Sequence, residues 1–314
     1  MIKKGVKLIT RPPRSKYDPN KLPLVCQLDS YGDVPRSPII FKNSKGDSLV
    51  GSLYQTYVTS RKICAIYLHG NASNQLEGRF ITSFFIPVGI NVFCFDFSGC
   101  GCSSGQVVSL GYYEQDDVLN AITILKNEYG MEEFILWGRS MGAAVSIMDA
   151  AVCSDIKGIC VDSPYSSLYR LFADLGKSKN VPKWIVRKAI KKVRKKVQKN
   201  HKFDIFDAKP ILSIEKLNIP VFIIHGKKDS FVNKQNSQRL YENCPSNNKQ
   251  IRIVEGKHNT RRPLEVLIEA TIFLCNSVGI KIEFPSLDEE NSQQEFDINA
   301  NQHFSDVDDM LKLI

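Results

Sequence analysis

The sequence predicts an α/β fold in which a mostly parallel sheet is covered by helices on both faces. Apolar runs alternate with helical patterns from about residue 38 to about residue 280. Most of these runs are apolar at successive positions, which is typical of parallel strands buried on both faces. Strands that alternate with helices need right-handed crossover connections, so we expect layers of helix, sheet and helix.

Each predicted strand and helix is located by its own pattern of apolar residues and turn residues. The first two strands, at residues 39–41 and 49–58, are expected to pair antiparallel around the turn Asn43–Asp47. The buried strands that follow are Ile63–Leu68, Asn91–Phe97, Phe134–Trp137, Gly158–Val161, Pro220–Ile224 and Gln250–Val254. The predicted helices are Tyr113–Tyr129, Ser140–Val152, Gln235–Cys244 and Pro263–Cys275. The first of these helices ends at Gly130, a favourable C-cap residue.

Charge divides the chain into segments. The 314 residues include 42 Lys and Arg against 33 Asp and Glu, a net charge of +9. Residues 1–22 carry +6, residues 183–202 carry +10 and residues 283–314 carry −8, so the remainder carries only +1. We predict a basic N-terminal arm (1–22), a globular domain (23–282) with an inserted lid at about 164–218, and an acidic, disordered tail (283–314). A near-neutral body does not favour a nucleic-acid-binding protein.

The cysteines and the N-terminus predict a cytoplasmic location. The first residues lack the apolar stretch of a signal peptide, and Ile2 excludes N-myristoylation. No apolar run approaches the ~20 residues that span a bilayer. The nine cysteines are scattered without a Cys-x-x-Cys pair, which is typical of a reducing compartment.

A candidate nucleophile lies in the pattern Gly138-Arg-Ser140-Met-Gly142, between a predicted strand and a helix of small residues. A serine on such a sharp turn has a strained backbone and crowded neighbours, and the two glycines remove Cβ atoms that would clash. The helix N-terminus directs partial positive charge at a developing oxyanion.

A serine nucleophile needs a base, and five histidines are available: His69, His201, His225, His258 and His303. His258 follows the last strand, in a loop from which its imidazole could reach Ser140. The acid should end a strand between serine and histidine, and Asp229 fits. Asp162 is a second candidate for the acid, although a role in the turn into Pro164 is favoured. Backbone N–H groups of Asn71 and Met141 are the expected oxyanion donors.

These landmarks together resemble the α/β-hydrolase superfamily, in its serine aminopeptidase-like and small esterase-like branch. The resemblance covers roughly residues 8–275. It rests on His69-Gly70-Asn71, the segment Phe95–Ser103, Gly138–Gly142, Asp162-Ser-Pro164-Tyr, His225-Gly-x-x-Asp229 and Gly256-x-His258-Asn259. It implies an eight-stranded α/β-hydrolase sheet, no cofactor and acyl transfer to water. It also implies Ser140 as nucleophile, Asp229 as acid, His258 as base, and Asn71 and Met141 as oxyanion donors.

Other patterns have simpler interpretations. His225 and Asp229 are spaced as a metal pair could be, but further ligands are missing from the loop, and no metal is expected. The glycines of Gly99-x-Gly101 do not follow the dinucleotide pattern and predict a backbone turn. Cys100 and Cys102 could be redox-active or acylated, and packing within their loop is favoured.

The basic segment permits three interpretations. Val186, Ile190, Val193 and Val197 form a narrow apolar stripe on a helix whose other faces are basic. The helix could be a lid packed by its stripe, or it could contact an anionic membrane with the stripe dipping into it. Nucleic acid is the least favoured partner because no aromatic stacking set accompanies the charge. The lysines expected at a membrane or lid contact are Lys188, Lys191, Lys192, Lys195 and Lys196.

The sequence therefore predicts a serine hydrolase that cleaves an ester or thioester of a small-molecule or lipid acyl substrate through an acyl-enzyme. Two alternatives remain. One is a serine aminopeptidase-like peptidase, and the other is a membrane-associated adaptor that keeps the fold without turnover.

Overall fold

A computed structural model describes residues 6, 10–28, 31–57 and 62–282. The predicted acidic tail lies outside the described residues, as do His303 and residues 1–5 and 7–9 of the predicted arm. The strands are β1 (Val25–Leu28), β2 (Gly32–Lys42), β3 (Ser48–Tyr54), β4 (Ile63–Leu68), β5 (Asn91–Phe95), β6 (Glu133–Arg139), β7 (Ile156–Asp162), β8 (Val221–Gly226) and β9 (Lys249–Val254).

These strands form one mixed sheet with the order β1-β2-β3-β5-β4-β6-β7-β8-β9. The first three strands are antiparallel and β3 joins β5 antiparallel, whereas every pairing from β5 to β9 is parallel. The α/β-hydrolase fold and the mostly parallel sheet are confirmed. The expected number of eight strands was wrong, since the described residues contain nine. The additional strand, β1, is four residues long and lies at the edge of the sheet with only Cys26 buried. Its short apolar sequence shows neither the length nor the alternation that predicts a strand.

The helices are α1 (Thr82–Phe85), α2 (Glu114–Tyr129), α3 (Met141–Ala150), α4 (Leu168–Ser178), α5 (Lys183–His201), α6 (Pro210–Ile214), α7 (Gln235–Asn243) and α8 (Leu264–Ser277). Short 3₁₀ helices lie at Pro19–Lys21 and Gln75–Ile81. The four predicted helices are confirmed with ends shifted by at most two residues. Gly130 caps α2 in the left-handed conformation, as its position predicts.

Two cores lie on opposite faces of the sheet. Alternate residues of β4 point to different faces, with Ile66 in one core and Tyr67 in the other. Helices α2 and α3 pack into the first core, and α8 packs into the second. The helices on both faces therefore explain why β4 is buried at all six positions.

The segment between β7 and β8 contains α4, α5 and α6. Its apolar side chains Val186, Ile190 and Val197 are buried and belong to the same core as α2 and α3. The segment is therefore part of the packed body, and its action as a lid stays a prediction.

The described part of the N-terminal segment lies against the loop that follows β5. Arg14 donates from Nη1 to the Ser103 carbonyl at 2.8 Å and from Nη2 to the Gly105 carbonyl. The Tyr17 hydroxyl donates to Asp96 Oδ2 at 2.8 Å, and the Val108 N–H donates to the Thr10 carbonyl at 2.9 Å. Part of the predicted arm is thus in contact with the domain.

Candidate active site

Ser140 lies between the end of β6 and the start of α3. Its backbone has φ 54° and ψ −109°, a conformation that is unfavourable for a residue with a Cβ. The turn is held by its own N–H, which donates to the Asp162 carbonyl at 2.8 Å. This sharp turn places the Ser140 side chain at the carboxyl edge of the sheet, where ligands of open α/β sheets bind.

The two glycines that flank Ser140 allow the close packing of this turn. A Cβ at Gly138 would overlap with the Gly142 carbonyl and the Ser146 hydroxyl. A Cβ at Gly142 would overlap with the Leu68 carbonyl oxygen. Both positions therefore need glycine for space rather than for a left-handed backbone.

The structure brings the three predicted catalytic side chains together. His258 Nε2 lies 3.1 Å from Ser140 Oγ, and His258 Nδ1 lies 2.6 Å from Asp229 Oδ2. Ser140 and His258 are 6% and 8% exposed, and the Asp229 side chain is fully enclosed. Because a carboxylate can only accept, His258 donates from Nδ1 and leaves Nε2 to accept the Ser140 proton.

Asp229 is held as a carboxylate by several donors. Its Oδ1 accepts the N–H groups of Phe231 at 2.9 Å and Val232 at 2.8 Å. Burial alone would raise the pKa of Asp229, but its contacts with His225 and His258 outweigh burial and hold the pKa below the usual range. The negative charge needed to stabilise an imidazolium is therefore present at neutral pH.

The predicted oxyanion donors lie on adjacent segments. The start of α3 at Gly142 lies against the backbone of Leu68 and His69, and His69 is two residues before Asn71. The Ala144 N–H donates to the Ser140 carbonyl at 3.1 Å, so the N–H of Met141 precedes the first hydrogen bond of the helix. This arrangement supplies a helix N-terminus beside Ser140, and the donor roles of Asn71 and Met141 stay predictions.

Asp162, the second candidate for the acid, contacts an arginine instead of a histidine. Arg262 donates to its Oδ2 from Nε at 2.8 Å and to its Oδ1 from Nη2 at 2.7 Å. The same guanidinium donates to the carbonyls of Lys257 at 3.1 Å and His258 at 3.3 Å. Asp162 therefore anchors the histidine loop through Arg262, a contact that the sequence alone does not predict.

A second ion pair, between the partly buried side chains of Arg139 and Glu77, joins the serine turn to two neighbouring segments. Arg139 donates to Glu77 from Nε at 2.6 Å and from Nη2 at 2.8 Å, and Glu77 Oε1 also accepts the Gly70 N–H at 3.3 Å. Arg139 Nη1 donates to Asn259 Oδ1 at 2.7 Å. Arg139 directly precedes Ser140 and Asn259 directly follows His258. The pair therefore links the serine, histidine and oxyanion segments.

His69 and His225 are buried, and both ring nitrogens of each histidine make hydrogen bonds that account for their positions. His69 Nε2 accepts the Phe97 N–H at 3.1 Å while Nδ1 donates to the Gly70 carbonyl at 2.7 Å, and burial lowers its pKa. His225 Nε2 donates to the Val232 carbonyl at 2.8 Å, and Nδ1 accepts the Ser237 hydroxyl at 2.7 Å. Within the described ranges, no group of three or more His, Cys, Asp or Glu side chains could hold a metal ion.

The loop after β5 forms the backbone turn that its glycines predict. Gly99 and Gly101 have positive φ of 79° and 46°, and a Cβ at Gly101 would overlap with the Asp96 carboxyl group. Burial raises the pKa of the Cys100 and Cys102 thiols, which disfavours the reactive thiolate form of both.

Two models of known protein families match separate segments of the chain. A model of the alpha/beta hydrolase fold matches residues 66–184, and a model described as serine aminopeptidase, S33, matches residues 210–260. The first match contains Ser140, and the second contains Asp229 and His258. Both models describe α/β-hydrolases, so the resemblance expected from the sequence is confirmed.

This α/β-hydrolase is 28% identical over 222 residues to the uncharacterised protein YqkD of Bacillus subtilis, covering 68% of this chain and 70% of the relative. It is also 28% identical over 214 residues to alpha/beta hydrolase domain-containing protein 17C of the mouse. That match covers 66% of this chain but only 58% of the mouse protein, so it spans little more than half of that relative.

Among solved structures, the α/β-hydrolase resembles the Pyrococcus furiosus esterase Pf2001, with a TM-score of 0.62 at 22% identity. The superposition covers 77% of this chain and 93% of the esterase. At this identity the similarity establishes the fold. None of the helices in the described part of the α/β-hydrolase is long and apolar enough to cross a bilayer.

Proposed function

We propose that this α/β-hydrolase is a serine hydrolase that cleaves an ester or thioester of an acyl substrate through a Ser140 acyl-enzyme. The observation that carries the proposal is the continuous series of contacts from Asp229 through His258 to Ser140, at 2.6 and 3.1 Å. Both distances fall within the range needed for proton transfer and for orienting a base.

The reaction follows from the direction of these hydrogen bonds. His258 Nε2 takes the proton as Ser140 Oγ attacks the acyl carbonyl, and the buried Asp229 carboxylate stabilises the imidazolium. The oxyanion forms beside the N-terminus of α3, near the N–H groups of Met141 and Asn71. His258 then returns the proton to the departing alcohol or thiol. A water molecule attacks the acyl-enzyme in the same way, which releases the acid and restores Ser140.

Mutation of the nucleophile tests the mechanism. Ser140→Ala should lower p-nitrophenyl ester hydrolysis by a factor on the order of 10⁴ or more, because it removes the attacking atom. It should also abolish labelling by a fluorophosphonate probe. Ser178→Ala is a matched control, since its hydroxyl only donates to the Leu175 carbonyl at the end of α4. Wild-type protein that is folded but neither labels nor hydrolyses would favour the adaptor alternative.

A peptidase is the second candidate because the serine aminopeptidase model matches the segment with Asp229 and His258. The esterase among the similar structures supports the proposal that the substrate is an ester. A panel of acyl esters, acyl thioesters and aminoacyl amides, assayed with the same preparation, separates the two. Faster cleavage of the aminoacyl amides than of the acyl esters would reverse the proposed order.

A further inference from the structure

Helix α5 presents an exposed basic face. Seven cationic side chains on it are exposed: Lys183, Arg187, Lys188, Lys191, Lys192, Lys195 and Lys199. With a rise of about 1.5 Å per residue, they extend over about 24 Å of the helix surface. Lys196, predicted with this group, is only half-exposed.

The opposite face of α5 is packed into the protein. Val186, Ile190 and Val197 are 5%, 6% and 0% exposed, and Val186 lies against Gly176 of α4. The expectation that this stripe could dip into a membrane was wrong, because its side chains already fill the core. The surface left for a partner is therefore the basic one.

Trp184 lies within this basic face and is 67% exposed. It precedes Lys188, Lys191 and Lys195 at spacings of four, three and four residues, so the four side chains point to the same side of α5. An indole combines a large apolar ring with one N–H donor, and tryptophan is enriched where lipid headgroups meet acyl chains.

Little acidic charge offsets this face. Helix α5 contains no Asp or Glu. Its ion pair in the described structure joins Arg194, away from the centre of the basic face, to Asp204. Lys177 and Lys179, at the end of α4, are also exposed and add to the positive charge of the same inserted segment.

We propose that the basic face of α5 binds an anionic lipid bilayer, with the helix lying parallel to the surface and Trp184 at the headgroup level. An exposed helix face with many flexible lysines around one indole complements a flat surface of many negative headgroups. Single-stranded nucleic acid is less well matched, since it is bound in grooves with several stacked aromatic rings. Such contact would make the protein peripheral to a membrane, and it does not depend on catalytic activity.

Vesicle sedimentation tests the proposal. Wild-type protein should bind vesicles that contain phosphatidylserine and should not bind vesicles of phosphatidylcholine alone. The triple variant K188Q/K191Q/K195Q should lose affinity by about 100-fold, since each basic residue near the surface contributes about fivefold. The control K42Q/K62Q/K228Q removes the same charge from exposed lysines outside the inserted segment and should retain binding. Circular dichroism and thermal unfolding verify that each variant is folded.

A second pair of variants tests the contribution of Trp184 to vesicle binding. Trp184→Ala should weaken vesicle binding several-fold, whereas Tyr57→Ala, at a side chain that is 72% exposed, should not. Equal losses in the two triple variants would overturn the proposal, because binding would then follow net charge. Binding to a single-stranded RNA oligonucleotide without binding to phosphatidylserine vesicles would also overturn it. Ser140→Ala protein should bind vesicles normally, so failure of the hydrolase proposal would be seen separately.

Discussion

Asp162 and Arg262 form a buried two-point ion pair across the active-site edge, with Oδ1–Nη2 at 2.7 Å and Oδ2–Nε at 2.8 Å. Asp162 ends β7, and Arg262 lies four residues after His258. Through this pair the sheet holds two carbonyls of the histidine loop. The pair fixes the position of His258 without touching its imidazole.

We predict that Arg262→Gln lowers kcat by about 10- to 100-fold, because the loop that carries His258 loses its anchor. It should also lower the free energy of unfolding by about 3 kcal/mol, because the Asp162 charge is left buried and unpaired. The double variant Asp162→Asn with Arg262→Gln should recover stability but not kcat. Urea unfolding and steady-state kinetics check both, with the exposed Arg239→Gln as control. Recovery of kcat together with stability would reduce the pair to a structural role.

The Arg139–Glu77 pair gives a prediction about acid stability. Burial of Glu77 would raise its pKa, but the adjacent Arg139 overcomes this and lowers the pKa to about 2. A lowered pKa in the folded state contributes stability above the unfolded value of about 4.3, and this stability is lost as the pH falls towards 2.

Glu77→Gln should therefore be less stable than the wild type at pH 7, and the difference should shrink as the pH falls from about 4.3 to about 2. Urea unfolding of both proteins across this range measures it. Glu132→Gln, which removes an exposed partner of Lys62, is the control and should change stability by less than about 1 kcal/mol. A difference between wild type and Glu77→Gln that does not vary with pH would contradict the prediction.

Asp149 on α3 should make the stability of the protein depend on pH in the opposite direction to Glu77. Both of its carboxylate oxygens are buried without a hydrogen-bond partner in the described structure. Burial, with Asp117 and Asp116 nearby, raises the pKa of Asp149 well above its usual value. Burial also raises the pKa of Asp117 to about 7. A raised carboxyl pKa contributes stability at low pH that is lost as the pH rises through the folded value.

Asp149→Asn should therefore stabilise the protein, and the gain should grow as the pH is raised from 5 to 9, by roughly 1–3 kcal/mol in all. Thermal unfolding across this range measures the gain. Asp33→Asn, at an exposed position in β2, should change stability by less than about 0.5 kcal/mol at any of these values. A variant at Asp149 that is less stable than the wild type at pH 9 would show that the carboxylate has a partner.

The glycines of the serine turn can be compared with a glycine elsewhere. Gly142→Ala should lower activity by at least about 100-fold, because its Cβ would displace the start of α3 from the Leu68 carbonyl. Gly130→Ala places a Cβ in open space at φ +66°, so it should cost only about 1 kcal/mol of stability and leave activity unchanged. Activity assays and unfolding of the two variants make the comparison. Normal activity in Gly142→Ala would mean that the turn can relax.

The sequence alone predicted those features of the structure that depend on local residue patterns. Buried strands and helices were recognisable because their side-chain periodicity records which faces are covered. Ser140, Asp229 and His258 were recognisable because each follows a strand in a short pattern with a chemical reason. The edge strand β1 was not recognisable because it has only four residues, and its apolar side chains Val25 and Leu28 are not buried.

The tertiary structure decided the contacts between distant segments. Arg139, Glu77 and Arg262 acquire partners 62 and 100 residues away, and residue type alone does not select a partner at that distance. Folding also decided that the apolar stripe of α5 packs inward, which leaves the lysines and Trp184 outside. The sequence by itself therefore determined the order of the elements and the residues of the candidate triad. Only the folded sheet, which brings the ends of β4, β6, β7, β8 and β9 to one edge, determined how those residues are held.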